Sequence, residues 1–173
     1  MKTDARTRYT KMVIREAFFS LLEHKSVDKI TVKEICDLAK INRATFYRYY
    51  ENQYDLLSLI ENEMLNEIET FSKGGQIDID TLITKMCQLL YKNREEWVLL
   101  MGATADSRFP NKVYSFFNQR YGDKCVTKEQ QMSYRFMLYG FSGLIDYWVK
   151  SGMVELPEDM ASHLIYYRHK VLD

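Results

Sequence analysis

Between Thr31 and Tyr50 the chain places arginine, lysine, threonine and tyrosine at spacings suited to hydrogen bonding with a nucleic acid. Arg43 lies at the start of a short predicted helix, followed by Ala44, Thr45, Tyr47 and Arg48. At about 100° per residue, Ala44 and Arg48 share one side, flanked by Thr45 and Tyr47, and Phe46 and Tyr50 share another. An outward arginine offers two parallel N–H donors to a guanine edge. Threonine and alanine methyls suit a thymine methyl, and a tyrosine hydroxyl suits a phosphate. Exposed backbone N–H groups beside Arg43 also favour phosphate. Lys33, in the first turn of the preceding helix, is within reach of a base or the backbone. The plainer alternative makes Arg43 and Arg48 solvated surface charges. Two helix caps, a short turn and a non-acidic outer side within twenty residues favour the first reading.

Positioning these side chains falls to three helices. Thr31 is a predicted N-cap, and Glu34 three residues on completes a capping box. Val32, Ile35, Cys36 and Ala39 then form an inner face at i, i+3, i+4 and i+7. Asn42 caps the next helix, which is expected to end near Tyr50. The preceding helix is expected over residues 7–24, with Ile14, Ala17, Phe18 and Leu21 facing inward. Asn52 and Asp55 open a fourth helix, through Leu56, Leu57, Ile60 and Met64 to about residue 71. Ile41, Phe46 and Tyr50 are expected to pack on the first two helices. This is a helix-turn-helix pattern, whose second helix enters a major groove.

Charge distribution agrees. The formal net charge of the 173 residues is zero, yet residues 1–50 hold eleven Lys and Arg against six Asp and Glu. That imbalance suits a polyanionic partner for the first part only. At 46% hydrophobic and 28% charged, the chain has enough apolar content for a true core. Cys36, Cys87 and Cys125 are odd in number and lack metal-like spacing, as reduced cytoplasmic thiols would. The N-terminus has no apolar signal region, and no apolar run reaches the roughly 20 residues of a membrane helix, so no membrane partner and a cytoplasmic location are expected. No glycine-rich phosphate loop, nucleophile elbow, His-Glu-x-x-His or paired Cys-x-x-Cys occurs, and His24, His163 and His169 are scattered. Neither catalysis nor a metal site nor any other cofactor is expected, and Glu61 and Glu63 read as solvated charges.

Gly74-Gly75 marks a break. Beyond it, helices are expected from Asp78 or Asp80 through Leu90, over 94–103, over 111–121, over 128–151 ending at Gly152, and from Pro157 to about 171. In all, about nine helices make an all-α fold. In the helix over 128–151, Tyr134, Met137, Leu138, Phe141, Leu144, Ile145 and Trp148 form one apolar stripe. Phe136, Tyr139, Gly140, Gly143 and Tyr147 extend apolar or small character around the other side. A helix apolar nearly all round is buried on both sides, so a homodimer is expected. Its interface would use Gly140, Gly143 and Tyr147, with Leu164 and Tyr167 from the last helix. Met86, Leu90, Trp97, Met101, Phe116, Phe117 and Met137 are candidates for a pocket taking an apolar or aromatic small-molecule effector, with Phe109 nearby. Plain core is the alternative for each. Arg94, Arg135 and His163 are possible polar anchors.

Residues 8–57 resemble the N-terminal domain of TetR-family transcriptional regulators. The stretch Thr31-Val-Lys-Glu-Ile-Cys36, then Asn42-Arg-Ala-Thr-Phe-Tyr-Arg-Tyr-Tyr50 and Asp55-Leu-Leu57, carry that resemblance. Leu89 to Arg94 and Tyr139 to Met153 resemble a short effector-domain type of the same family. The resemblance implies contacts with double-stranded DNA by Thr31, Lys33, Arg43, Thr45, Tyr47, Arg48 and Tyr49, with the cap Asn42 in the same set. It also implies a homodimeric, ligand-responsive repressor acting on a palindromic operator. The implied division is a DNA-binding domain over 1–52, a connecting helix and linker over 53–76, and a ligand-binding and dimerisation domain over 77–173. Two positions depart from the pattern: Lys40 stands where the turn usually has glycine, and Gln53 where the fourth helix often starts with lysine. Two rival functions keep the same fold: a coactivator or other interaction protein that no longer reads DNA, and a thiol-based redox sensor.

Overall fold

The computed structural model describes residues 2–73, 78–102, 109–122 and 125–172. Among them are nine α-helices and no strand: α1 (Lys2–Leu22), α2 (Val32–Ala39), α3 (Arg43–Tyr47), α4 (Gln53–Lys73), α5 (Ile79–Lys92), α6 (Arg94–Met101), α7 (Phe109–Tyr121), α8 (Lys128–Lys150) and α9 (Pro157–Leu172). A single 3₁₀ turn, Val27–Lys29, joins α1 to α2. The all-α expectation holds, and most boundaries fall within two residues of those read from the sequence. Gly74-Gly75 and Ala103 lie outside the described residues.

Two boundaries differ. α1 starts at Lys2 rather than near residue 7, because its first turns carry no apolar stripe for periodicity to detect. α3 stops at Tyr47. The N–H groups of Tyr49 and Tyr50 both donate to the Phe46 carbonyl, at 2.9 and 3.1 Å, which closes the helix in a tight turn.

Local sequence explains the helix ends. Thr31 Oγ1 accepts from the Glu34 N–H while Glu34 accepts from the Thr31 N–H, the predicted capping box. Thr127 and Gln130 repeat the device at α8. After α8, Gly152 (φ +82°) and Met153 (φ +52°) turn left-handed, and the Met153 N–H reaches back to the Trp148 carbonyl at 2.8 Å. That is a Schellman closure with glycine at its first left-handed position. Met153 and Trp148 are both buried there.

One continuous core runs from Ile14, Phe18 and Leu22 through Ile35 and Phe46 to Leu56, Ile60 and Met64 of α4. It continues through Cys87, Trp97 and Leu100 to Trp148 and Leu164. The inward face of α4 therefore serves both ends of the molecule. α5 lies along α9, and α8 packs on α6, α7 and α9.

Ion pairs also cross α4, which corrects the reading of Glu61 as solvated, while Glu63 stays exposed as expected. Glu61 is 3% exposed and accepts from Lys112 Nζ of α7. Arg15 of α1 holds Glu96 of α6 through Nε (2.9 Å) and a second nitrogen (2.5 Å), and Glu63 of α4 at 3.0 Å. The reason is geometric: helices distant in sequence bring the counter-charges, which periodicity within one helix does not reveal.

Candidate nucleic-acid interface

The interface begins with the turn between α2 and α3. Lys40 adopts φ +54°, ψ +43°, so it accepts the left-handed conformation that glycine usually supplies. The Lys40 N–H meets the Asp37 carbonyl (3.4 Å) and the Ile41 N–H the Cys36 carbonyl (3.0 Å), a Schellman pattern. Asn42 Oδ1 then accepts from the Thr45 N–H at 2.7 Å and from Thr45 Oγ1 at 2.8 Å. These contacts set the start of α3 against the end of α2. Phe46 and Tyr50 anchor its inner side, both buried, with ring centroids 5.5 Å apart. Burial pushes the Tyr50 phenol up to about 12, as befits a core group.

On the other side, Lys33, Arg43, Ala44, Tyr47 and Arg48 are exposed. Tyr47 stands edge-on to Phe46, at 5.8 Å between centroids, so its body is braced while its hydroxyl end is free of the core. Three arginine or lysine heads and one phenol thus share a surface that can donate hydrogen bonds and accept none at its charged heads. That is the chemistry of a phosphate and guanine reader.

Thr31, Asn42, Thr45 and Tyr49 hold positions with another use. The Thr31 hydroxyl donates to Glu34 Oε2 at 2.8 Å, so a phosphate must displace Glu34 to gain that proton. Hydrogen bonding from Lys25, then from Thr31, holds the Glu34 carboxylate down at about 2. Asn42 spends its carbonyl on the cap, and Thr45 spends its hydroxyl there, which leaves the Thr45 methyl to offer a base. Tyr49 is half-buried, and the Lys11 ammonium lies 6.0 Å from its ring centre. The Thr7 hydroxyl, ahead of Arg48 and Arg6, lowers the Tyr49 phenol below its ordinary value. Tyr49 therefore ties the end of α3 to α1. Arg6 and Lys11 were not singled out from the sequence; the acid-free run from Ala5 to Arg15 was the available signal.

A groove of about 480 Å³ separates α1 from the end of α2 and the turn, lined by Tyr9, Val13, Ala17, Leu38, Lys40 and Ile41 among others. None of the residues expected to line an effector pocket borders it. Those residues lie on α5 to α8: Leu90, Trp97 and Met137 are buried, and Met86, Met101, Phe116 and Phe117 are partly buried. Of the possible polar anchors, Arg94 lies over the Tyr91 ring at 5.2 Å, and Arg135 and His163 are exposed.

The residues expected at a dimer interface divide. Gly140, Gly143, Tyr147 and Tyr167 are exposed, along with Phe136 and Tyr139. Leu164 is 0% exposed and belongs to the chain's own core, which corrects its assignment. Pro157, Met160, Ala161 and Leu164 form the inward face of α9, and Tyr167 lies roughly 60° around the helix from Leu164.

Two of the three thiols, Cys36 and Cys87, are buried, whereas Cys125 is partly exposed. Burial raises Cys36 and pushes Cys87 up to about 12, away from the reactive thiolate. Among the described residues no group of three His, Cys, Asp or Glu side chains is placed to hold a metal, and no helix is long and apolar enough to cross a membrane.

A family model described as bacterial regulatory proteins, tetR family, matches residues 14–60, and one described as a transcriptional regulator C-terminal region matches residues 78–170. Over 62 residues the chain is 42% identical to the HTH-type dhaKLM operon transcriptional activator DhaS of Lactococcus lactis subsp. lactis (strain IL1403). That stretch covers 34% of this chain and only 33% of the relative. A TetR transcriptional regulator from Streptococcus agalactiae 2603V superposes with a TM-score of 0.71 at 23% identity, covering 97% of this chain and 98% of its own. NalD of Pseudomonas aeruginosa, described as the secondary repressor of the MexAB-OprM multidrug efflux pump, gives 0.69 at 21% identity, over 96% and 99%. At those identities the structures establish the fold alone.

Proposed function

The chain belongs to the TetR family of bacterial transcriptional regulators, and from that premise we propose that it works as a homodimeric, ligand-released repressor of a palindromic operator. The observation that carries the DNA-binding part is the left-handed turn at Lys40 followed by the Asn42 cap. Together they present Lys33, Arg43, Tyr47 and Arg48 outward while Phe46 and Tyr50 hold the helix from behind. Arg48 reads a guanine, the Thr45 and Ala44 methyls meet thymine, and Lys33, Arg43 and Tyr47 hold phosphates. Thr31, Asn42 and Tyr49 position these groups.

Residues 1–52 form the reading unit in this proposal, 53–76 the connector and 77–173 the unit for ligand and dimer. Support for the dimer comes from α8. Phe136, Tyr139, Gly140, Gly143 and Tyr147 line one exposed stripe, with Phe136 66% and Tyr147 65% exposed. A side chain added at Gly140 or Gly143 meets nothing within 4 Å beyond its chain neighbours and its own helix backbone. Two such stripes pack against each other across a two-fold axis, with Tyr166 and Tyr167 of α9 beside them. The paired α3 helices then enter grooves with half-site centres about 34–36 Å apart or a multiple of that.

The effector is an apolar or aromatic small molecule taken among α5 to α8, where Met86, Leu90, Trp97, Met101, Phe116, Phe117 and Met137 lie. It favours a state in which α4 carries the two reading units out of register. Differential affinity for the two states makes the release allosteric.

Selection of bound fragments from the parent genome tests the reading, followed by a salt titration on the selected duplex. A regulator that holds phosphates loses affinity steeply with salt, with a slope near −0.9 per neutralised phosphate. Salt-independent binding, or none, favours the coactivator reading. Replacing Arg48 by alanine is expected to cost about 1–3 kcal/mol of discrimination at one base pair. Light scattering at micromolar concentration reads the dimer, and a stable monomer counts against it. Transcripts beside the selected site rise on deletion of a repressor and fall on deletion of an activator, the role in the name of DhaS.

A further inference from the structure

The first turns of α1 project ahead of the core. Burial on this helix begins at Ile14, and in the stretch before it Arg6, Tyr9, Lys11 and Met12 are exposed. From Ala5 to Met12 this is about 12 Å of helix with no buried residue. A segment that buries so little gains its order from something other than a core. Its charge is one-signed: the run from Ala5 to Arg15 holds four cations and no acid. Arg15 is engaged by Glu63 and Glu96 at the far end of that run, so its charge is neutralised within the chain.

This basic segment is fastened to the reading helix. Thr7 and Lys11 stand one turn apart on the same side of α1, and both face Tyr49, which directly follows Arg48. The Lys11 ammonium rests over the Tyr49 ring, which fixes a compact charge in place without neutralising it. Arg6 lies close enough to Tyr49 to act on its phenol along with Arg48. Arg6, Lys11 and Arg48 therefore form one positive surface bridging two helices.

We propose that Arg6 and Lys11 bind backbone phosphates of the duplex beside the bases read by α3, so that the DNA footprint extends along α1 past the helix-turn-helix. The proposal rests on the DNA-binding reading given above. These two contacts supply affinity and register without base selectivity, because they belong to α1, which packs on α2 and is not the reading helix.

The test uses the full chain carrying Arg6→Gln and Lys11→Gln together. Both positions are exposed, and glutamine is a good helix former, so the change removes charge and keeps the helix. Binding is measured across a salt series on two probes: the genomic duplex selected by the wild-type protein, and a scrambled duplex of equal length and composition. The expected result is a shallower salt slope, by about 0.9 for each phosphate lost, two per protomer and so about 3.6 for the bound dimer of the double variant. Affinity falls by a similar factor on both probes, leaving their ratio unchanged. An unaltered slope overturns the proposal while leaving the DNA-binding reading intact. A changed ratio between the probes also overturns it, because the contact is then to bases. A wild-type protein with no salt-dependent binding removes the reading on which the proposal stands.

Discussion

In α2 and α3 most polar contacts close within three residues of sequence: Thr31 with Glu34, and Asn42 with Thr45. From α4 onward the polar contacts that join helices span much longer distances. Glu61 meets Lys112 across 51 residues, and Asp80 meets Arg168 across 88. Arg15 and Glu96, 81 residues apart, join the two regions. The reading unit is thus specified by short-range caps over a small core, whereas the C-terminal helices depend on tertiary pairing. A unit that must keep its outward side chains rigid gains from local closure, since such contacts form wherever the helix forms. A unit that is to switch gains from contacts that can part while each helix stays whole.

Breaking the reading unit through its core should give the largest effect. Phe46 is completely buried under α3, and its replacement by alanine is expected to cost about 3–5 kcal/mol. Urea denaturation measures it. A loss below about 1 kcal/mol would mean that caps alone hold α3 and would collapse the contrast drawn between caps and core.

On the other side of the comparison, Lys112→Met leaves the Glu61 carboxylate buried without its cation. Lys112 is itself partly exposed, at 39% of its side chain, so water softens the penalty. An expected cost of about 1–3 kcal/mol follows from the unsatisfied acceptor. Adding Glu61→Gln should recover part of it, since removing both charges is gentler than removing one. The exposed pair Lys150–Asp146 on α8 is the control, with a coupling of about 0.3–0.5 kcal/mol. Similar couplings for the two pairs in double-mutant cycles would deny tertiary pairing its special place in this half.

The same contrast explains what the sequence reveals. Thr31, Asn42 and Gly152 announce their roles because a cap is a relation among neighbours, and inward Phe46 and Tyr50 follow from the helical repeat. Lys40 is legible only in part: its position demands a left-handed turn, and the structure adds that lysine complies. Glu61 looks like any helical acid until α7 is in place. Leu164 and Tyr167 look like one stripe, although Leu164 is sealed in the chain's own core and Tyr167, one turn nearer the end of α9, is 49% exposed. Tyr49 resembles a DNA contact by position, and only the placement of α1 turns it toward Thr7 and Lys11. Each of these placements needed the position of a second helix.

A smaller effect, and a stabilising one, is expected at the turn. A left-handed non-glycine residue costs about 1–2 kcal/mol, offset in part by the greater unfolded-state freedom of glycine. Lys40→Gly should therefore stabilise by about 0.5–1 kcal/mol, and each kcal/mol raises Tm by about 2–4 °C for a chain of this size. Base selectivity should not change, because Lys40 shapes the turn and the side chains proposed to read bases lie on α3 and at Arg48. A fall in Tm would show that the lysine side chain makes a stabilising contact of its own.

The smallest effect distinguishes local from tertiary carboxylates by acid. Glu34 is held at about 2, below its ordinary 4.5, chiefly by the Lys25 hydrogen bond and then by Thr31. A depressed carboxylate favours the folded state above its ordinary value, and that contribution fades as pH falls from 4.5 toward about 2. Asp80 is also lowered, chiefly by Arg168 and then by His169, so its contribution fades in the same direction. The consequences differ in reach. Losing the Glu34 charge loosens the first turn of α2, whereas losing that of Asp80 releases the end of α9 from the start of α5. Amide exchange followed down an acid series should therefore show protection lost around Glu34 and Ile35 alone in one case, and along both α5 and α9 in the other. Glu34→Gln should abolish the first change and leave the second. If it altered exchange in α9, the short-range closure of the reading unit would be coupled to the C-terminal helices through Arg15, and the two regions would answer acid as one.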